Sequence, residues 1–316
     1  MTEDAGEGDC CLVENKERLE MDWPSFYIVG AMKSGTSSLY SYLKKHPRVF
    51  LPAMKEPHYF LSHLGGPNAD GCMSTDENCI GDEPRYRNLY RNAGSFAAVG
   101  DASTSYLCDE NAARNIHAVR PDAQIIVMLR DPVERAHSHY QMDLQTGKEE
   151  LPLLQALKND YSSRRKGWGI THLYVDAGLY AGQIERYVKV FGRERVLVVL
   201  TEELKNDPRS TLLKVTRHLG VDPLCFDSAE HSHAYNAYRR PKYPALQRLV
   251  VKSKVSRFIP QSLRRSLRYS RLLFDIRKPS MDSESRRYLQ DIFAPDIFRL
   301  EELLGRKLPE LRKSWV

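Results

Sequence analysis

The stretch Phe26-Tyr-Ile-Val-Gly-Ala-Met-Lys-Ser-Gly-Thr-Ser-Ser-Leu39 decides how this chain is read. Apolar strand formers run up to Gly30. A lysine, a second glycine and hydroxyl residues follow, and then a helical pattern begins. Strand, glycine-bearing turn and helix in that order open an α/β unit, and the turn lies at the carboxyl end of the strand, where such folds bind ligands. Gly30 and Gly35 let the backbone bend close to a ligand. The amides of residues 34–38 open a helix whose positive end attracts an anion. Lys33 adds a full charge, and Ser34, Thr36, Ser37 and Ser38 add donors. The turn reads as a phosphate cradle, but it is not a Walker A loop. That pattern places its lysine directly after the second glycine, with a hydroxyl for Mg²⁺ next to it. Here Lys33 precedes Gly35 and no lysine follows it. A kinase or nucleotide hydrolase is therefore the poorer reading, and no metal is expected.

Working outward, three more short apolar runs, at residues 96–99, 125–129 and 196–200, match the first at 26–29. Each is nearly continuous, as expected for strands covered on both faces. Helical patterns separate them at residues 37–45, 110–119, 132–145, 180–191 and 208–219. Thr36 or Ser37 is placed to cap the first, and Pro132 to start the third. The alternation predicts an α/β fold, a three-layer sandwich around a central parallel sheet. A further helix is expected over residues 283–304.

The 316 residues are 41% hydrophobic, enough for one large core. Residues 1–22 are polar and acidic without periodicity and read as a loose tail, leaving residues 23–316 as a single domain. There is no basic n-region, no long apolar run and no N-x-S/T sequon, so a cytoplasmic location is expected. Of the six cysteines, Cys72 and Cys79 flank a polar loop. They suit a disulfide or a shared metal less well than they suit thiols in a reducing compartment. The net charge of +6 is misleading as an average. Residues 239–278 alone carry thirteen Lys or Arg against one acid, Asp275, so the rest of the chain is net acidic. This segment reads as basic and helical. It suits an anionic partner, a membrane surface or a polyanion, as well as it suits a solvated helical face. Nucleic acid is not expected as a partner.

A second stretch, Ile125-Ile-Val-Met-Leu-Arg-Asp-Pro-Val-Glu-Arg-Ala-His-Ser-His-Tyr-Gln141, ends a strand in Arg130 and starts a helix after a proline. Arg130 offers a fork of donors suited to phosphate. Ser138 lies on the helix that follows and has a donor for the same oxygens. His137 and His139 point away from it and read as packing or surface residues. Together, K-S-G-T-S-S-L and L-R-D-P-x-x-R-A-x-S-x-Y resemble the two nucleotide signatures of the sulfotransferases, which use 3′-phosphoadenosine 5′-phosphosulfate (PAPS) as donor. The resemblance runs over residues 26–304, nearest the heparan-sulfate, carbohydrate and bacterial types. It implies a P-loop-like fold in which Lys33, Ser34, Gly35, Thr36, Ser37 and Ser38 hold the 5′-phosphate side of the donor. It further implies that Arg130 and Ser138 hold its 3′-phosphate. The cradled phosphate is then part of the leaving group, 3′,5′-bisphosphoadenosine (PAP).

Two further stretches carry the acceptor side. "LPAMKEPHYF" resembles the family segment whose glutamate is the general base, which implies that role for Glu56. A carboxylate is chemically suited to take the proton of an attacking hydroxyl. Lys33 is suited to neutralise charge growing on the leaving oxygen, and Lys55 to assist at either end. His58 is the competing base, although its setting with Pro57, Tyr59 and Phe60 looks structural. "GDASTSYL" resembles the family's G-[DE]-x-[ST]-P-x-Y segment and brings Asp101, Ser103 and Ser105 to the same face as candidate contacts to the acceptor or the donor, with Tyr180 as a candidate for the lining of the acceptor cleft. It carries Ala102 and Thr104 where the animal heparan-sulfate enzymes carry lysine and proline, which fits the bacterial-type or small-acceptor members better. Arg239, Arg240 and Lys242 occupy the place where the family closes a basic loop over the 3′-phosphate. The expected activity is O-sulfation of a hydroxylated acceptor, a carbohydrate by resemblance, with lipid, phenol and alkaloid hydroxyls as other acceptors. A protein that binds anions or membranes without catalysis is the non-enzymatic alternative.

Overall fold

In the computed structural model, the described residues are 23–61, 79–163, 173–222, 240–241, 274–275 and 280–315. The acidic tail, Cys72, Arg239, Lys242 and nearly all of the basic segment lie outside them. Within that segment, Arg240–Pro241 and Phe274–Asp275 pair as two short antiparallel strands, so a wholly helical reading does not hold there. Only the backbone of Arg240 is described.

The chain divides into two compact units, Met1–Leu129 with Gln183–His231, and Arg130–Gly182 with Ser232–Val316. The first holds a five-stranded sheet built from β1 (Phe26–Gly30), β2 (Val49–Phe50), β3 (Ala98–Ala102), β4 (Gln124–Leu129) and β5 (Val196–Leu200), in the order β2-β3-β1-β4-β5. All of its pairings are parallel. From β1 the chain moves out to one edge, returns to the near side of β1, and then crosses to the other edge. Right-handed crossovers in both directions put helices on both faces of such a sheet. The order reverses beside β1, where sheets of this kind bind their ligands.

The strands form where the apolar runs predict them, with one shift. The second run was expected at residues 96–99, whereas β3 occupies Ala98–Ala102. Gly100 explains the difference. A Cβ there would meet the ring of Phe26 at 2.1 Å, so the glycine allows the close approach of two central strands. The edge strand Val49–Phe50 is only two residues long and has no pattern to read. Around the sheet are helices α1 (Thr36–Leu43), α2 (Glu83–Asn88), α3 (Ala112–Val119), α7 (Thr201–Asn206) and α8 (Pro208–His218). Phe26, Ile28, Leu39, Leu43, Ile126, Met128, Val199, Leu212 and Val215 form one buried cluster that holds β1 and α1 in place.

The second unit contains α4 (Pro132–Thr146), α5 (Leu153–Ser162), a 3-10 turn at Asp176–Gly178, α9 (Ser283–Leu304) and a 3-10 segment at Pro309–Trp315. Helix α6 (Tyr180–Phe191) begins in this unit and continues into the first. Ala181 N–H donates to the carboxylate of Asp296 on α9, and Gly178 has no room for a Cβ against Phe293.

Candidate active site

The cradle is anchored on both sides before it turns. Ala31 N–H donates to Met128 O at 2.6 Å, and Leu107 N–H donates to Val29 O at 2.8 Å. The chain then passes through two left-handed residues, Lys33 at φ 65° and Gly35 at φ 85°. At Gly35 the conformation, not the space, requires glycine, since a Cβ would meet nothing nearer than 3.4 Å. The helix cap expected of Thr36 or Ser37 falls instead on Gly35, and no side chain caps α1. The left-handed turn leads straight into the helix, so Thr36 is its first residue. Ser38 N–H returns to Gly35 O, which leaves the amides of Gly35, Thr36 and Ser37 as open donors of the first turn.

The fit of a phosphate to this turn is carried by Ser34. The residue is wholly buried, and its Oγ has no hydrogen-bond partner. A buried hydroxyl left unpaired costs about 1–3 kcal/mol, and a ligand oxygen would remove that cost. The backbone of Ser34 is fixed from behind, because Thr201 Oγ1 lies 2.6 Å from Ser34 O and 2.9 Å from Leu129 O. Thr201 was not singled out by the sequence, because a lone threonine at the end of a strand carries no signal.

Glu56 sits at the carboxyl end of the neighbouring strand, where its N–H donates to Ala102 O at 3.1 Å. Among the described residues, the only non-glycine residues with positive φ are Lys33, Glu56 at 62° and His58 at 58°. Such backbone costs of order 1–3 kcal/mol per residue and persists where the surroundings enforce it. One oxygen of Glu56 lies 2.5 Å from Lys55 Nζ, the other 3.6 Å from His58 Nε2. The Glu56 and Lys55 side chains are each 22% exposed, whereas that of His58 is 5% exposed. Of the pair, the carboxylate is the more exposed group. The two residues after His58 are held in packing: Tyr59 stacks on Tyr86 at 4.4 Å, and Phe60 meets Tyr86 edge-on.

Asp101 and Ser103, expected as contacts to the acceptor or the donor, do not reach the surface. Both are wholly buried beneath the Glu56 loop. Asp101 accepts from Tyr86 OH at 2.8 Å, Tyr106 OH at 2.9 Å and Ser103 Oγ at 2.7 Å. Ser103 Oγ in turn accepts from His58 N–H at 3.2 Å. Burial pushes the Asp101 carboxyl up to about 6, against the three hydroxyl donors that pull it down. These residues support the loop from below. Ser105 is also buried, and its Oγ has no partner.

Arg130 and Ser138 belong to the second unit. The guanidinium of Arg130 lies 3.1 Å from Glu134, and its carbonyl accepts from Tyr180 OH at 2.9 Å. Tyr180 is fully buried, so it holds the Arg130 backbone and does not line an open cleft. Ser138 is half-buried on α4. Asp131 caps α4 through Val133 N–H and Glu134 N–H. His137 and His139 are buried in packing, as expected, with His139 edge-on to Tyr174. Among the described residues, no group of three His, Cys, Asp or Glu side chains could hold a metal.

The model of the sulfotransferase family matches residues 24–225. The chain belongs to the sulfotransferase family. Carbohydrate sulfotransferase 15 of Mus musculus is 31% identical over 253 residues, covering 64% of this chain and 44% of its own length. Heparan sulfate glucosamine 3-O-sulfotransferase 6 of Homo sapiens is 28% identical, covering 68% and 58%. The chain thus spans roughly half the length of these two relatives. Among solved structures, a sulfotransferase from Alicyclobacillus acidocaldarius superposes with a TM-score of 0.69 at 31% identity, over 92% of this chain and 99% of that one. The P-loop-like fold expected of the sequence is the fold of this chain.

Proposed function

We propose that the protein moves a sulfuryl group from PAPS to a hydroxyl of an acceptor. The observation that carries this reading is the pairing, on adjacent strand ends, of a glycine-bearing turn with an orphaned buried hydroxyl at Ser34 and a partly exposed, conformationally enforced carboxylate at Glu56. In this reading the cradle residues from Lys33 to Ser38 hold the phosphate that carries the sulfuryl group, and Arg130 with Ser138 holds the 3′-phosphate. The acceptor hydroxyl gives its proton to Glu56 as its oxygen bonds to sulfur. The bond from sulfur to the phosphate oxygen breaks, and PAP leaves with the electron pair. Lys33 balances the charge that grows on that oxygen. Lys55 and His58 hold the carboxylate from either side, and the Asp101–Ser103 support fixes the loop that presents it.

The acceptor we propose is a carbohydrate hydroxyl, the class named for both curated relatives. The test is transfer from radiolabelled PAPS to a panel of desulfated glycosaminoglycans and simple phenols. Glu56→Gln is expected to lower turnover by about 100-fold or more, the usual range for loss of a general base, while PAP affinity stays within about twofold. Turnover within a few-fold of wild type would remove Glu56 from the role of base. Label appearing on phenols alone would overturn the carbohydrate assignment.

A further inference from the structure

We infer that the 3-10 segment Pro309–Trp315 is a positioning element for Arg130, and that Trp315 and Asp131 tune the donor's 3′-phosphate site without touching the donor. This rests on the 3′-phosphate role proposed above for Arg130.

Asp131 follows Arg130 directly, and its carboxylate does two jobs. One oxygen caps α4 through Val133 N–H at 2.9 Å and Glu134 N–H at 3.4 Å. The same oxygen also lies 3.3 Å from the indole Nε1 of Trp315, and the other accepts from Ser314 N–H at 2.9 Å. Both partners are more than 180 residues away in sequence. The first job needs no help from the 3-10 segment, because a helix cap is complete with the two amides. The second ties a distant piece of chain to the residue next to Arg130.

That piece is itself held at several points. Glu301 on α9 accepts from Leu308 N–H at 2.8 Å and from Arg312 at 2.7 Å, which shapes the turn out of the helix. Arg286 donates to Ser314 O at 2.5 Å, and Gln290 reaches Trp315 O at 3.4 Å. Arg130 is thus fixed at three points within its own unit: its carbonyl by Tyr180, its guanidinium by Glu134, and the residue after it by Ser314 and Trp315. A guanidinium fork delivers its two parallel bonds only when its plane is set in advance. Loosening one anchor should therefore weaken the contact it makes, and no other.

The variant Trp315→Phe keeps an aromatic ring but removes the indole N–H together with the five-membered ring that carries it. Asp131→Asn keeps an oxygen for the helix cap and removes the second acceptor. Calorimetry would measure the affinity of wild type and both variants for PAP and for 5′-AMP, with unfolding temperature as a control. Steady-state kinetics would give KM for PAPS and kcat. The expected result is a PAP affinity roughly three- to tenfold weaker, the size of one ordinary hydrogen bond because the effect reaches the donor only through Arg130, an unchanged 5′-AMP affinity, a raised KM for PAPS and a kcat within about twofold of wild type. Equal losses for the two nucleotides, or a fall in unfolding temperature with no change in either affinity, would overturn the inference and leave a purely structural clamp. Failure of the underlying reading shows separately, as wild-type protein that does not prefer PAP to 5′-AMP.

Discussion

In the proposed function, Ser34 is the residue that separates a ligand site from an ordinary turn. Its hydroxyl is buried and unpartnered, so Ser34→Ala should leave the unfolding temperature unchanged or slightly raised. The same change should weaken PAP binding by roughly tenfold. Parallel thermal melts and calorimetry would show it, and a drop in both quantities would mean that the hydroxyl serves the fold. Asp101 makes a pH prediction. Its carboxyl titrates near 6 in the folded chain, above its ordinary value of 3.8. The folded state therefore binds more protons than the unfolded state between those values. This group's contribution to stability is full below pH 3.8 and is lost as pH rises through 6. Urea melts across that range should show the loss in wild type and a flatter profile in Asp101→Asn. Lys33, Glu56 and the hydroxyls around Gly35 could be proposed from sequence because their chemistry and order are local. The support role of Asp101 could not, since an aspartate after a strand looks the same whether it faces a ligand or lies under one. Its place is set by Tyr86 and Tyr106, and Tyr86 comes from a different element.

The elements most visible in sequence were those with long, unbroken patterns. The limits of β5, α6 and α9 match their expected ranges, and Pro295 does not end α9. Where the expectation moved, packing between elements was the cause, as with Gly100 against Phe26 at β3. Helix α9 also carries a testable ion cluster. Glu301 is buried by the chain that leaves the helix, and its bond from Arg312 holds its carboxyl down to about 2, well under the ordinary 4.5. A depressed carboxylate stabilises the fold above its unfolded value, and this stabilisation is lost as pH falls from about 4.5 toward 2. Glu301→Gln should destabilise the protein at neutral pH by about 1–3 kcal/mol and should flatten its acid limb. Chemical denaturation at pH 7 and pH 3 measures both. An unchanged acid limb would show that Arg312 contributes nothing through this bond.

Across the whole molecule, the sheet order explains why the chemistry lies where it does. The reversal beside β1 leaves strand ends free of crossing chain, and β1 delivers the cradle while β3 delivers the residues that hold Glu56. The same topology makes Arg130 the residue that follows β4. The positive charge of the chain is gathered into residues 239–278, apart from these motifs in sequence. A nucleotide site that works through backbone amides, hydroxyls and an arginine fork, with no Walker lysine, should prefer two separated phosphates to a metal-bound triphosphate. Arg130→Ala should accordingly weaken PAP far more than 5′-AMP, and equal losses would remove Arg130 from the 3′-phosphate. The most direct measurement is calorimetric titration of the wild-type chain with PAP, 5′-AMP, and ATP with and without Mg²⁺. The proposed function predicts a dissociation constant for PAP of about a micromolar, near −8 kcal/mol, in the absence of metal and at least about tenfold tighter than for the other two. No binding of PAP, or a preference for ATP with Mg²⁺, would contradict it.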